Sequence, residues 1–282
     1  MRNKILYVST EDLNFFYKLN KELNRLNIKF EILNLKIKNP KVPSLILTTF
    51  KEALKFKNIP EKLEILPYSE GNNFYNYIFK VLAAYRVGYK KRYSEIVFSV
   101  DPGSKKIGIV IFLDNFFLIS DTFYDKNDFI KLIKDIVYYF QDDNPNLMML
   151  KFKFGSGVLS LTYELVDFIL DLFHLRKKMR LYLIDETKSS KIKIKDYKKR
   201  VKTKHEISAL ILALRKGVEI TQLNYLSLFK QSKVPNYKKS NHKENINYVD
   251  NLNTLQELID KILDGEISLS ESSAILHEIT KE

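Results

Sequence analysis

The chain of 282 residues contains no cysteine. Disulfide frameworks and thiolate metal sites are therefore excluded. No apolar run approaches the ~20 residues that a membrane-spanning helix needs. Met1-Arg2-Asn3-Lys4-Ile5 leads straight into a strand-like run and then into Thr10-Glu11-Asp12, too short and too soon acidic for a secretory leader. The expectation is a soluble cytoplasmic protein with no membrane partner. Glycine is scarce, at eight residues. No glycine-rich phosphate loop follows any strand-like segment in the first third of the chain, which speaks against a nucleotide-binding domain there. No internal repeat is present.

What the chain does have is positive charge. Its formal net charge is +13 and its pI about 9.4. That balance points to a polyanionic partner, DNA or RNA above all. A composition rich in Lys, Ile, Asn, Phe and Tyr gives part of it without any partner, so clustering is the better guide. From Lys188 to Lys204 there are nine Lys or Arg against one acid, Asp196. Lys188, Lys191, Lys193, Lys195, Lys198, Lys199, Arg200, Lys202 and Lys204 are candidate backbone contacts, together with Lys105 and Lys106. A solvated connecting loop would have the same composition.

Hydrophobic periodicity divides the chain into three parts. Residues 1–92 read as a small α/β domain. Strands are predicted at Ile5–Ser9, Phe30–Leu33, Ser44–Thr49 and Leu63–Leu66. A first helix is capped by Thr10, with Leu13, Phe16, Leu19, Leu23 and Leu26 at helical spacing, and a later one spans Phe74–Val87. Residues 93–222 carry a second α/β pattern: strands Ile96–Val100, Ile107–Leu113 and Phe116–Ser120, a helix from Asp128 to Phe140, strand Leu147–Phe154, helix Leu159–Leu175, strand Leu181–Ile184, and a last helix His205–Lys216 closed by Gly217. Asp114-Asn115 is a hairpin-type turn. Residues 223–282 read as a polar linker around Lys238–Asn245 followed by two short helices.

The chemistry-bearing feature is the turn after the first strand of the second part, Asp101-Pro102-Gly103-Ser104-Lys105-Lys106-Ile107-Gly108. A strand ending in a carboxylate and backed by a small-residue turn presents a metal or phosphate ligand. Asp185-Glu186 ends a later strand in the same way. His205 and Glu206 open the last helix. Each also has an ordinary reading: a hairpin turn for Asp101-Pro102-Gly103, a solvated strand end for Asp185-Glu186, a cap-region side chain for His205, and an acid complementing the positive helix N-terminus for Glu206.

Three strands, helix, strand, helix, strand, helix is the order of the ribonuclease H-like fold. Asp101-Pro102-Gly103 with Lys106-Ile107-Gly108 resembles the first-strand motif of RuvC- and YqgF-type resolvases and nucleases. Ile184-Asp185-Glu186-Thr187-Lys188-Ser189 resembles the Asp-Glu-x-x-Thr/Ser segment of the YqgF group. Lys204 to Leu214 resembles the small-residue helix that closes these domains. The resemblance covers Ser94 to Gly217, under half of the chain, and suggests an archaeal-type branch. It implies a ribonuclease H-like α/β domain with a mixed five-stranded sheet, preceded by a small α/β domain and followed by a helical tail. It also implies Mg²⁺ or Mn²⁺ held by Asp101, Glu186 and Glu206, with Asp185 and His205 completing the catalytic set, and phosphodiester hydrolysis in structured DNA or RNA. The departures are an absent acid on Leu150-Lys151-Phe152-Lys153-Phe154 and Ser208 where a further acid is usual. They favour an alternative, a catalytically degenerate nucleic-acid-binding or scaffold module. An ATPase of the actin and sugar-kinase type ranks last, because its second Asp-x-Gly turn has no counterpart except Asp264-Gly265, at a helix end. Junction-cutting relatives act as dimers, so a homodimer stays open.

Overall fold

The computed structural model describes residues 5–34, 41, 43–56, 63–88, 90, 92–141, 148–186, 201, 203–230 and 248–279. The linker predicted at Lys238–Asn245 lies outside them. The chain divides into two units, Met1–Lys91 and Arg92–Glu282.

The first unit runs β1 (Ile5–Val8), α1 (Leu13–Arg25), β2 (Glu31–Ile32), β3 (Ser44–Thr49), α2 (Phe50–Ala53), β4 (Leu63–Tyr68) and α3 (Phe74–Arg86). Its sheet has the order β2-β1-β3-β4, and every pairing is parallel. The helix phase differs from expectation. Asp12, not Thr10, caps α1, accepting from the Phe15 N–H at 3.0 Å. Phe15, Leu19 and Leu23 face inward, while Leu13 is 81% exposed. Phe15 and Phe16 both fit a 3.6-residue period, and the position of the cap decides between them. The Thr10 hydroxyl instead donates to Glu52 at 2.6 Å. Glu52 also accepts from the Thr49 hydroxyl and the Glu11 N–H, and these bonds hold its carboxyl down at about 2 against the opposing pull of burial.

The second unit runs β5 (Glu95–Pro102), β6 (Ile107–Leu113), β7 (Phe116–Phe123), α4 (Lys126–Gln141), β8 (Met149–Gly155), α5 (Leu159–Leu172), β9 (Met179–Ile184), α6 (Lys204–Leu214), β10 (Val218–Ile220), α7 (Tyr225–Lys230), α8 (Tyr248–Leu263) and α9 (Leu269–Ile279). The strand order is β10-β9-β8-β5-β6-β7. Strands β5, β8 and β9 are parallel; β6 is antiparallel to β5 and to β7. The first five strands thus form the mixed sheet of a ribonuclease H-like domain. Strand β10 is an addition, antiparallel on the edge of β9, so the sheet has six strands where five were expected. The β6–β7 hairpin turns through Asp114 and Asn115, both at positive φ, as an Asp-Asn hairpin loop requires.

Register decides what faces α6. The rows Val97–Phe112–Phe117, Ser99–Val110–Ser120 and Asp101–Gly108–Thr122 lie across β5, β6 and β7. Paired residues project to one face. On that face Val97, Val110 and Phe112 share a core with Ala209, Leu210 and Ala213. The buried Ser99 hydroxyl donates to the Ala209 carbonyl at 2.7 Å. The C-terminal helices join this core through Leu258, Ile259, Ile262 and Leu269, and Ser273 donates to the Leu214 carbonyl at 2.8 Å. They are therefore part of the second unit's core, not an appended tail. Gly265, at φ 71, closes α8, so Asp264-Gly265 is a helix cap. Gly217 does not close α6: the helix ends at Leu214, and Gly217 has no positive φ. A Cβ there would stand 2.3 Å from Ile184 Cδ1 and 2.6 Å from the Leu183 carbonyl oxygen. Gly217 lets the chain pass close to β9. Among the described residues no helix is long and apolar enough to cross a membrane.

Candidate functional site

Asp101 is the penultimate residue of β5 and 7% exposed. Its Oδ2 lies 2.8 Å from His205 Nδ1. Two glycines make that contact possible. A Cβ on Gly108 would stand 2.3 Å from the His205 carbonyl oxygen, and one on Gly103 2.7 Å from His205 Cε1. The first turn of α6 can descend onto the sheet only where β6 and the turn before it carry no side chains in its way.

Glu186, just beyond β9, is seated by the turn after β8. A Cβ on Gly155 would meet its Oε1 at 1.9 Å, and one on Gly157 its Oε2 at 2.1 Å. The Gly157 N–H donates to the carboxylate. Four of the chain's eight glycines therefore line this one site. Gly155-Ser156-Gly157 is more than a strand-to-helix turn: it is the seat of an acid.

The charge of Asp101 reaches Glu186, while Glu206 is engaged on β7. Burial raises the Asp101 carboxyl above the usual carboxylate range, opposed by the hydrogen bond and charge of His205 and by the charge of Lys204. Burial also raises Glu186, and the nearby charges of Asp101 and Asp185 push the same way, while the Gly157 N–H and Arg215 oppose it. In both carboxylates burial is the largest cause of the raised proton affinity. Asp185 is exposed, and its backbone carbonyl accepts from Arg215 Nη1 at 3.0 Å.

Glu206 is 2% exposed and turned toward β7. It accepts from the Ser120 hydroxyl at 2.6 Å and the Thr122 hydroxyl at 3.0 Å. Thr122 meets the capping Thr203 hydroxyl at 2.6 Å, and Thr203 accepts from the Glu206 N–H at 3.2 Å. Among the described residues Asp101, Glu186 and Glu206 therefore do not form the expected three-acid set. Glu206 lies about 100° around the helix from His205, and the hydroxyls of β7 settle where it points. The predicted strand Phe116–Ser120 stops short of Thr122, three residues before the end of β7, so the pairing of Ser120 with Thr122 on one face is cut off. Their alternation on the inward face of β7 was the available signal.

Two further residues were missed. Lys153, on β8 where an acid was sought, is mostly buried and donates to the carbonyl oxygens of Ala213 and, at 2.8 Å, of Arg215. It caps the C-terminal end of α6. Burial, helped by Lys151, brings its ammonium down to about 8. Tyr124, just past β7, is 76% exposed, and Lys106 Nζ lies 4.9 Å from its ring centroid. Lys105 and Lys204 are exposed. The other basic candidates, Lys188, Lys191, Lys193, Lys195, Lys198, Lys199, Arg200 and Lys202, lie outside the described residues.

A hard divalent cation needs converging oxygens. Among the described residues no group of three or more His, Asp or Glu stands at metal-holding separation. That rules out a full carboxylate cage there. It fits a cation such as Mg²⁺, which keeps several waters and takes one or two carboxylates. Asp101 and Glu186 are the carboxylates that could serve such an ion.

No protein-family model matches the chain, and no curated protein matches it. Solved structures similar to it include an exopolyphosphatase from Cytophaga hutchinsonii, at 11% identity over 58% of this chain and 55% of that one, with a TM-score of 0.13. An Aquifex aeolicus member of the Ppx/GppA family is also 11% identical, over 78% of this chain and 74% of that one, with a TM-score of 0.14. Likeness this slight carries no argument about activity.

Proposed function

We propose that the second unit is a metal-dependent nuclease of the RuvC and YqgF type, hydrolysing phosphodiesters in structured DNA or RNA. The observation that carries this reading is the Asp101–Glu186 pair at the strand ends of a ribonuclease H-like sheet, with His205 bonded to Asp101. Asp101 and Glu186 would hold Mg²⁺ or Mn²⁺, and the ion supplies Lewis-acid polarisation of the phosphodiester. Both carboxylates bind in their ionised form, which burial disfavours and a cation restores. Because His205 Nδ1 is committed to Asp101, proton exchange with an attacking water runs through Nε2. Lys105, Lys106, Lys204 and the basic segment beyond Glu186 would hold the backbone.

The pair suits one ion. A second, at the ~4 Å separation of two-metal sites, would need more oxygens than these residues offer. The engagement of Glu206 by Ser120 and Thr122 favours a second reading, a nucleic-acid-binding module on a catalytically degenerate ribonuclease H-like fold.

The test is Mg²⁺- and Mn²⁺-dependent cleavage of junction, flap and structured-RNA substrates by wild type and Asp101→Asn. We expect Asp101→Asn to lose at least about a hundredfold in rate, the upper end of what outer-shell changes cost, while still binding substrate. Equal rates would refute the catalytic claim. Salt-dependent binding without cleavage by wild type would establish the second reading.

A further inference from the structure

Positive charge is not spread evenly along this chain. Residues 1–91 hold seventeen Lys and Arg against eight Asp and Glu, a net +9. Residues 188–204 net +8, and the rest of the second unit nets −4. A compositional bias alone would charge all three parts alike. The first unit therefore carries its own excess of positive charge.

Much of the described basic surface of that unit is compensated. Lys51 pairs with Glu70 at 3.3 Å, and Lys55 stands 3.8 Å from Glu11. Helix α1 differs. Its inner face is apolar, with Phe15, Leu19 and Leu23 buried. Its outer face shows Asn14, Tyr17, Lys18, Lys21, Asn24 and Arg25. The single acid of α1, Glu22, is buried and spent on Arg25 at 2.8 Å. Lys18 and Lys21, one turn apart, make no ion pair among the described residues, and Tyr17 beside them is 69% exposed. Ammonium groups with no ion pair among the described residues, interleaved with an exposed aromatic ring, match a phosphate backbone carrying bases that can stack.

We infer that the outer face of α1, through Lys18, Lys21 and Tyr17, is a nucleic-acid contact surface of the first unit. This inference rests on the proposed nucleic-acid function and names the part the first unit takes in it. An anionic membrane is the less suitable partner, because the apolar face of α1 is turned into the unit's core.

The test measures binding of fluorescent single-stranded and duplex oligonucleotides by the full chain between 50 and 300 mM salt, roughly the range over which phosphate contacts are resolved. Lys18→Gln/Lys21→Gln should bind about tenfold more weakly at the low-salt end and flatten the slope of log K against log salt by about 2, one per lost phosphate contact. Tyr17→Ala should weaken single-strand binding more than duplex binding. Lys51→Gln/Lys55→Gln removes the same formal charge from ion-paired positions and should change the slope by less than about half as much. Equal slopes in wild type and the α1 variants overturn the inference. So does an α1 effect seen only on phosphatidylserine vesicles. If the α1 variants lose nucleic-acid binding while wild type cleaves nothing, the inference stands and the nuclease reading fails. Asp101-dependent cleavage with unaltered binding by the α1 variants gives the reverse.

Discussion

Gly157→Ala separates the site from the fold. The new Cβ would lie 2.1 Å from Glu186 Oε2 and 2.8 Å from Cδ, more than about 1 Å inside ordinary contact. Its three nearest neighbours are all atoms of the Glu186 carboxylate, the far end of a flexible side chain. The backbone can stay where it is while the acid swings out. Gly157 has no positive φ, so alanine adopts its conformation and gains about 0.4–1 kcal/mol through the unfolded chain. Against this stands the hydrogen bond from the Gly157 N–H. Bonds to charged groups contribute about 1.5–3 kcal/mol, and partial exposure of Glu186 puts this one at the low end. Release of the carboxylate from the Asp101 charge offsets part of that loss.

The net change in stability should be about 1 kcal/mol or less, a Tm shift of about 4 °C at most in a unit of this size. Mn²⁺ affinity, measured by calorimetry or electron paramagnetic resonance, should fall about 10- to 100-fold, as when other groups that orient ligands are removed. Glu186→Gln should match it, and the double variant should lose no more than either alone. Gly108→Ala provides the contrast. Its Cβ would meet the His205 carbonyl oxygen at 2.3 Å and carbonyl carbon at 2.4 Å. That is helix backbone, so α6 must lift from the sheet, an overpacking cost of about 1–3 kcal/mol or more. Undiminished Mn²⁺ affinity in Gly157→Ala, with Tm preserved, would refute the assignment of Glu186 to the cation.

Glu206→Gln should leave Mn²⁺ affinity within about twofold and cost about 1–3 kcal/mol of stability, because two hydroxyls lose a charged acceptor; a normal Tm with lost Mn²⁺ binding would make Glu206 a ligand after all. Lys153 titrates low in the folded protein, from 10.5 to about 8. Its charged form is therefore disfavoured on folding, and its contribution to stability rises as pH climbs from about 8 to 10.5, by about 3 kcal/mol in total. Chemical denaturation across that window should show this rise in wild type relative to Lys153→Met, and parallel curves for the two proteins would exclude it.

The residues that sequence alone made legible are those whose role is local. Alternation and turn chemistry are enough for β5, β6 and the Asp114-Asn115 hairpin, and a carboxylate after an apolar run is enough to single out Asp101 and Glu186. What was misread or passed over depends on distant partners. Gly217 follows a helix as a cap would, but its lack of a side chain serves β9. Lys153 alternates with Phe152 and Phe154 as a solvated strand residue would, yet the C-terminal carbonyls of α6 lie over it. Gly155 and Gly157 make an ordinary turn until Glu186, some thirty positions later, is placed between them.

These nonlocal contacts share one element. Helix α6 is held at its first turn by Glu206 on Ser120 and Thr122, at its middle by Ser99 on the Ala209 carbonyl, and at its last turn by Lys153. Glycines 103 and 108 admit its N-terminus to the sheet. With three anchors of different chemistry and no room to slide, the helix can hold His205 on Asp101 at only one height. The acid that looked like a third ligand therefore acts through the helix: Glu206 fixes where His205 stands against Asp101.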